Sequence, residues 1–396
     1  MRSGGIKEVR MNKTPLIENA CKELMEYGVR GRREKCKNLL KRLLLKRKIP
    51  KEDPIFWPTG LLAAGLWHCR EEGAAVQKGA DAAVRIEGID RALAAYYGRW
   101  LKKGMPLAVL DDLLAGETLL RIYEKVRDKE ADFGEGMSEG QLRAALDRMA
   151  SYGAGHPSDG AGSLIYRPAN GEVTVFIDGL GLACPFLYQY GETFARREYK
   201  EKAVLQIANF LSYGMDGKTG LPYHGYDMAD GCKYGIIGWG RAVGWLLRGM
   251  MGCMVSGYGR ERLAAPCVLL VDAVIACQRQ DGFFSWQLEA QEGPADTSAT
   301  GMICAALRQG MELGVLAGGT YENALTAGRR ALERSVREGL VYQCSGECEG
   351  FSQYPQRYGA YPWSLGPALE ALRADGAEKV GGGPNSGFEE QENGTI

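Results

Sequence analysis

Apolar residues recur at a spacing of about 3.6 residues along most of this chain, which is the pattern of helices with one buried face. Strand-like alternation is confined to three short runs, at 163–167, 173–177 and 282–288, which are too isolated to build a sheet that holds a core. The pattern therefore predicts an all-α protein. The predicted helices cover 16–29, 34–48, 57–72, 84–102, 107–127, 139–150, 179–193, 197–213, 240–255, 260–279, 296–314, 320–338 and 360–374.

Two similar turns indicate how these helices are arranged. The stretches 216–223 and 280–286 each follow a long helix with an Asp-Gly turn and an aromatic extended piece, and their first aspartates, Asp216 and Asp281, lie 65 residues apart. This is about two helix–loop units, which favours repeated helical hairpins. A closed ring of six hairpins buries the apolar face of every helix. We therefore expect an (α/α)6 toroid.

The chain divides by composition into three parts. No proline-rich or serine-rich linker interrupts residues 52–376, which we assign to one catalytic domain. Residues 1–51 are predicted to form an N-terminal helical segment packed on the barrel. The basic residues of its amphipathic helix are better explained as a solvent-exposed face than as a phosphate-binding or lipid-binding site. Residues 377–396 are rich in glycine and acidic residues, and we expect this tail to be disordered.

Charge and cysteine content exclude several classes of function. The 49 basic and 49 acidic residues cancel, so no overall field favours nucleic acid or membrane partners. No stretch is long and apolar enough for a membrane span, and no signal peptide is evident. The 11 cysteines are scattered through apolar patterns, as in reduced cytosolic proteins. We expect a cytoplasmic protein without a structural metal.

The first candidate for chemistry is Asp178, which lies between a β-leaning run and the start of a helix. A carboxyl group flanked by apolar residues resists ionisation when it is buried and can then donate a proton near neutral pH. The alternative is that Asp178 only caps its helix. The sequence favours neither interpretation.

Two further clusters carry groups that suit an acidic sugar. His224 lies on a loop between two tyrosines, where a histidine more often serves as an ordinary hydrogen-bonding group than as a ligand contact. Trp239, Arg241 and Trp245 surround the start of a helix. Indole faces stack on sugar rings and a guanidinium binds carboxylates, although a packing cluster with the arginine stacked on indole is an equal alternative.

These motifs occur in an order that resembles the unsaturated rhamnogalacturonyl hydrolases of glycoside hydrolase family 105 and, more distantly, the unsaturated glucuronyl hydrolases of family 88. The resemblance covers about residues 55–370. It is carried by 176–180, 219–227, 239–245, 280–282 and 297–299. Phe176 and Ala242-Val243 depart from the residues common in the family.

The resemblance implies an (α/α)6 barrel with no metal or organic cofactor. It implies that Asp178 is the general acid and that a second site carboxylate is Asp111, or Asp112 beside it. It places His224, Trp239, Arg241 and Trp245 in the sugar pocket. The implied reaction hydrates the vinyl ether of a terminal unsaturated uronyl residue in lyase-generated oligosaccharides, such as those of pectin breakdown.

Two other functions remain open from the sequence. An ordinary inverting glycosidase on the same toroid would pair Asp178 with Asp111 or Asp281 as acid and base. A non-enzymatic helical-repeat scaffold would use the tryptophans and Arg241 for packing. Cyclases on similar toroids are disfavoured, because the sequence has no aspartate-rich metal motif and no Cys-His zinc set. The aglycone, sulfation preference and oligomeric state are not determined by these patterns.

Overall fold

A computed structural model describes residues 11–26, 55–76, 80–168, 171, 173–348, 354 and 356–373. Within these residues there are twelve α-helices and one short 3-10 helix, Leu110–Leu113, which leads directly into α4. The helices are α1 (Thr14–Glu26), α2 (Trp57–Val76), α3 (Ala80–Lys102), α4 (Leu114–Arg127), α5 (Glu139–Ala154), α6 (Asp178–Thr193), α7 (Arg197–Tyr213), α8 (Gly240–Cys253), α9 (Gly257–Ile275), α10 (Thr297–Glu312), α11 (Gly319–Arg334) and α12 (Pro362–Ala371).

The even-numbered helices form a closed inner ring. Each of them packs on the next, from α2 through α4, α6, α8 and α10 to α12, and α12 packs back on α2. Each odd-numbered helix packs outside against one or more members of this ring. The predicted (α/α)6 toroid is confirmed.

Burial along the helices explains which of them lie inside. Inner helix α6 buries every residue from Gly179 to Gly191, so it is apolar on all sides. Outer helix α11 buries Ala324, Leu325, Gly328, Ala331 and Leu332, which form one stripe at helical spacing. A helix with one apolar stripe covers a core, whereas a helix apolar all round lies within one.

Most helices lie where the periodicity predicts them, with ends that differ by a few residues. The predicted helix 34–48 and the predicted disordered tail 377–396 lie outside the described residues. The division into three parts stays a prediction. Among the described residues, no helix is long and apolar enough to cross a membrane, and the ten described cysteines are unpaired thiols, most of them buried.

The strands are short and lie in the loops between the helices. The one three-stranded sheet consists of β1 (Val175–Phe176), β2 (Gly225–Asp227) and β3 (Cys232–Tyr234), all antiparallel. Two-stranded ribbons pair β4 (Val336–Arg337) with β5 (Leu340–Val341), and β6 (Cys344–Ser345) with β7 (Tyr358–Gly359). Of the three β-leaning runs, only 173–177 contains a strand. The runs 163–167 and 282–288 form isolated bridges because their partners are single residues of neighbouring loops.

Candidate active site

A small cavity of about 80 Å³ lies at the N-terminal ends of several inner helices. Trp57 and Asp178 are the first residues of α2 and α6, and Trp239 directly precedes α8. Because helix N-termini carry partial positive charge and unpaired N–H groups, this end of the ring favours an anionic ligand. The cavity is lined by Trp57, Tyr166, Arg167, Phe176, Asp178, Leu182, His224, Trp239, Arg241, Trp245, Glu347 and Cys348.

The small sheet places Asp178 beside His224. Phe176 of β1 pairs with Gly225 of β2, and the Ile177 amide donates to the His224 carbonyl oxygen at 2.9 Å. The pairing of the two strands therefore brings Asp178, which follows β1, close to His224, which precedes β2. There Nε2 of His224 lies 2.9 Å from Oδ2 of Asp178. The helix-cap interpretation of Asp178 is wrong, since Ile177 occupies the cap position and Asp178 is the first residue of the helix.

His224 is held on its other side by Tyr354. The Tyr354 hydroxyl lies 2.9 Å from Nδ1 of His224 and accepts a hydrogen bond from the Ile236 amide at 3.3 Å. The turn at Gly235 has φ +82°, and a Cβ atom there would lie 2.5 Å from His224 Cβ and 2.6 Å from the Tyr354 hydroxyl. Only glycine allows this close approach.

The two neighbouring aspartates before α4 have different surroundings. Oδ2 of Asp112 accepts hydrogen bonds from the amides of Ala108 and Val109 at 2.7 and 3.2 Å, which is a local structural role. Burial raises the pKa of Asp111 to about 6, and a hydrogen bond from Tyr166 and the nearby Arg167 oppose this rise. The charge of Asp178 also raises the pKa of Asp111. Asp111 is therefore the aspartate that faces the site, although it lies behind Tyr166 and does not line the cavity.

Arg241 is buried and held by the protein on several sides. Nη1 donates to the hydroxyls of Ser298 and Ser345 at 3.2 and 2.8 Å and to the Ser345 carbonyl at 3.2 Å, while Nη2 donates to the Gly346 carbonyl at 2.8 Å. Both hydroxyls donate in turn to the buried carboxylate of Asp296, at 2.7 and 2.6 Å. The guanidinium of Arg241 also lies 4.7 Å from the Trp239 ring centroid, so the arginine stacks on indole as the packing alternative predicts. Arg241 thus brings a rigidly fixed positive charge to the cavity wall.

Three tryptophans supply aromatic surface to the cavity. The Trp57 and Trp245 ring centroids lie 6.0 Å apart, edge to face. Gly181 allows α6 to approach α8 here, since a Cβ atom would lie 2.6 Å from the Trp245 ring and carbonyl oxygen. The buried indole nitrogen of Trp239 has no hydrogen-bond partner among the residues that the structure describes. A ligand oxygen in the cavity could accept this hydrogen.

Sequence reasoning missed several residues of the cavity wall. Arg167 and Glu347 are exposed charged residues that line it, and Tyr166 stacks on Phe176 with ring centroids 4.9 Å apart. No recognisable motif surrounds them, although Arg167 lies within a β-leaning run close before Asp178. Asp281, an alternative acid or base from the sequence, is not among the cavity residues. Its carboxylate binds Arg279 at 2.9 Å and the Phe283 amide at 3.2 Å.

Comparison with known families gives one extended match. The model of Glycosyl Hydrolase Family 88 matches residues 57–371. Protein Atu3128 from Agrobacterium fabrum is 32% identical over 164 residues, which cover 38% of this chain and 70% of that protein. A 24.9 kDa protein in the picA locus of Rhizobium radiobacter matches to the same extent.

Solved structures share the fold at low sequence identity. A possible member of glycoside hydrolase family 105 from Salmonella enterica has a TM-score of 0.73 at 16% identity, covering 94% of this chain and 95% of that one. The family 105 glycoside hydrolase of C. acetobutylicum has a TM-score of 0.64 at 18% identity, covering 85% and 98%. The unsaturated glucuronyl hydrolase from Bacillus sp. GL1 has a TM-score of 0.63 at 19% identity, covering 90% and 94%.

Proposed function

The chain belongs to glycosyl hydrolase family 88 and is a glycoside hydrolase, and from this premise we propose that it removes a terminal 4,5-unsaturated uronyl residue from lyase-generated oligosaccharides. The observation that carries the proposal is the Asp178–His224 pair, which lies in a small aromatic cavity at the positive ends of inner helices. The similar structure from Bacillus sp. GL1 is named as an unsaturated glucuronyl hydrolase, which supports the same substrate class.

The charges around the cavity suit a uronate. Arg241 and Arg167 both line it, and a guanidinium is well matched to a carboxylate in charge and geometry. We propose that the substrate carboxylate lies towards these two residues. Trp245 and Trp57 would pack on the sugar ring, and the indole N–H of Trp239 would donate to a sugar oxygen.

The proposed chemistry needs one positioned acid. The unsaturated residue is a vinyl ether, so a proton from Asp178 to C4 gives an oxocarbenium ion spread over C5 and the ring oxygen. The ionised Asp178 then takes a proton from water as the water oxygen bonds to C5. The resulting hemiketal opens and releases the aglycone, and Asp178 is again protonated. No covalent enzyme intermediate is required.

The hydrogen bonds of Asp178 fit this cycle. Oδ2 is occupied by His224, which leaves Oδ1 to carry the transferred proton. A donor on Oδ2 also stabilises the carboxylate that forms after the first step. Asp111 would assist through its charge and through Tyr166, because it lies behind that ring rather than in the cavity.

The second candidate is an ordinary inverting glycosidase that uses Asp178 and Asp111. The pKa of Asp111 near 6 favours it, because a general acid must hold its proton near neutral pH. This mechanism requires an acid and a base on opposite sides of the scissile bond with room for water. A saturated substrate of the same linkage separates the two candidates, because vinyl ether hydration cannot act on it.

The test follows the ultraviolet band of the C4=C5 double bond. Wild-type protein should remove the absorbance of an unsaturated disaccharide, with a panel of rhamnogalacturonyl and glucuronyl disaccharides identifying the best substrate. Asp178→Asn keeps the shape of the side chain and removes the proton, so we expect turnover to be lost while binding stays within about tenfold.

Trp245→Ala is the matched comparison, since it alters the cavity wall and leaves the acid in place. It should raise KM more than it lowers kcat. Near-normal turnover by Asp178→Asn would refute the acid role and make Asp111 the next candidate. Cleavage of the saturated analogue at a similar rate would refute hydration in favour of ordinary glycoside hydrolysis.

A further inference from the structure

Glu347 is a charged residue of the cavity wall that no step of the proposed reaction uses. It follows strand β6 and Gly346, whose carbonyl oxygen accepts a hydrogen bond from Arg241 at 2.8 Å. The Gly346 amide donates to the Arg357 carbonyl oxygen at 2.8 Å. The backbone immediately before Glu347 is therefore anchored to the arginine of the site.

The Glu347 carboxylate is available to a ligand. It is exposed and lines the cavity, and it forms no hydrogen bond or ion pair with any residue that the structure describes. Its negative charge is one of the causes that raise the pKa of Asp111, so it acts on the interior of the site. Among the side chains found to line the cavity, the one other carboxylate is that of Asp178, which His224 already binds.

We propose that Glu347 determines which unsaturated uronyl residues the enzyme accepts. It accepts hydrogen bonds from free hydroxyl groups at C2 and C3 of the ring, and it rejects rings that carry a sulfate there. The inference rests on the proposed function, because it assumes that an unsaturated uronyl ring occupies this cavity. It adds a residue that determines specificity, and it defines the substrates as oligosaccharides whose terminal ring is unsulfated.

The chemistry of the ring leaves two hydroxyl groups for Glu347. C1 carries the glycosidic oxygen, C4 and C5 form the double bond, and C5 also carries the carboxylate. The hydroxyls at C2 and C3 are then the hydrogen-bond donors of the ring, and a carboxylate with two oxygens can accept from both. Hydrogen bonds to a charged acceptor are stronger than neutral ones, so each free hydroxyl should strengthen binding.

The charges of the cavity wall explain why a sulfate should be rejected. In the proposed complex the uronate carboxylate lies towards Arg167 and Arg241. A second anion on the same ring would meet the charge of Glu347, and like charges brought together at a binding site suppress the wrong ligand. The cavity of about 80 Å³ leaves little room for a sulfate to turn away from that charge.

Glu347→Gln tests the charge with little change of shape. Because Glu347 is exposed, the substitution should not disturb the core. Glu347→Asp keeps the charge on a shorter side chain and should still reject sulfate. Glu289→Gln is the matched control, since Glu289 is another exposed glutamate and is not among the residues found to line the cavity. Circular dichroism and thermal unfolding would show that the variants fold.

The experiment measures kcat/KM for unsaturated disaccharides of the type that the enzyme accepts best, in the unsubstituted, 2-O-sulfated and 2-deoxy forms. We expect wild type and Glu289→Gln to act about 100-fold less efficiently on the sulfated form, and about tenfold less efficiently on the 2-deoxy form. Glu347→Gln should lower kcat/KM for the unsubstituted form about tenfold, mainly through KM. Its discrimination against sulfate should shrink to about tenfold or less, and the 2-deoxy form should cost it about threefold or less.

A wild-type protein that acts equally well on the sulfated and unsubstituted forms would overturn the inference and leave the proposed function intact. So would a Glu347→Gln protein that rejects sulfate as strongly as wild type, because the size of the cavity would then be the cause. A Glu347→Gln protein that loses activity equally on all forms would overturn it as well. If wild type removes the ultraviolet band of none of the forms, the proposed function fails and this inference fails with it. Turnover of the unsubstituted form therefore distinguishes the two failures.

Discussion

Nε2 of His224 lies 2.9 Å from Oδ2 of Asp178, and the opposite side of the imidazole determines which atom carries the proton. The Tyr354 hydroxyl accepts from the Ile236 amide, and we assign its own hydrogen to Nδ1 of His224, which lies 2.9 Å away. Nδ1 is then the acceptor and Nε2 the donor in the neutral ring. The Ile236–Tyr354–His224–Asp178 chain therefore directs a hydrogen bond onto the carboxylate.

Tyr354→Phe should disturb this chain while leaving the ring in place. Without the hydroxyl, His224 can adopt either tautomer, and in one of them Nε2 no longer donates to Asp178. We expect kcat to fall about tenfold, which corresponds to one hydrogen bond of ~1.4 kcal/mol. KM should stay near the wild-type value, because the Tyr354 hydroxyl faces His224 and does not line the cavity.

The separate effects of Tyr354→Phe on kcat and on KM distinguish positioning from simple packing. Tyr354 also contacts Trp239 and Trp286, with ring centroids 5.6 and 5.7 Å away, and phenylalanine keeps those contacts. An unchanged kcat would contradict the tautomer argument. An increase in KM alone would indicate that Tyr354 serves substrate binding.

Asp111→Asn should stabilise the protein above neutral pH. The pKa of Asp111 rises from its ordinary 3.8 to about 6 on folding, so the folded state prefers the protonated form. The contribution of this proton to the free energy of unfolding is fully present below about pH 4 and is lost as the pH rises through about 6. Asparagine never ionises, and the variant should gain about 2–3 kcal/mol over wild type at pH 8. Urea unfolding between pH 4 and 8 measures this difference.

Asp112→Asn is the control for that experiment. Its carboxylate accepts from two backbone amides, so losing the charge should lower the free energy of unfolding at pH 8 by about 1 kcal/mol. A higher free energy of unfolding for Asp111→Asn at pH 8, together with a lower one for Asp112→Asn, would distinguish a buried site acid from a structural cap. A loss of stability at pH 8 in Asp111→Asn would contradict the raised pKa.

The sequence predicts the helices and several cavity residues for different physical reasons. The helices can be predicted from periodicity because each outer helix buries one apolar stripe, as α11 does around Leu325. Asp178 and His224 lie within recognisable motifs, although of the two strands that bring them together only β1 lies in a run that the sequence predicts as β-leaning. Tyr354 reaches His224 from 130 residues away, and Arg167 meets the cavity through a loop. Contacts between residues so far apart in the chain depend on how the ring of helices closes, and a local sequence pattern does not predict that.

Closure of the ring also creates a partly buried ion cluster on three inner helices. Arg248 of α8 donates to Glu117 of α4 at 2.7 Å and to Glu370 of α12 at 3.1 Å. Removing the arginine leaves two carboxylates in a poorly solvated place. Arg248→Met should therefore lower the free energy of unfolding by about 3–5 kcal/mol, measured in urea.

The triple variant tests whether charge or shape causes that loss. Arg248→Met combined with Glu117→Gln and Glu370→Gln removes the unpaired charges and keeps similar volumes. It should recover most of the lost stability. If the triple variant is as unstable as Arg248→Met alone, the loss comes from packing around the arginine side chain.

Arg167 gives the sharpest test of how a uronate is recognised, because it is an exposed residue that lines the same cavity as Asp178. Arg167→Gln removes the charge, and we expect kcat/KM for the unsaturated uronate to fall about 10–100-fold, mainly through KM, as for a lost hydrogen bond to a charged group. Arg167→Lys keeps the charge without the planar fork and should lose less. The methyl ester of the same substrate is the control, since it has no carboxylate for Arg167 to bind. An equal loss on acid and ester would show that Arg167 shapes the cavity wall and does not bind the carboxylate.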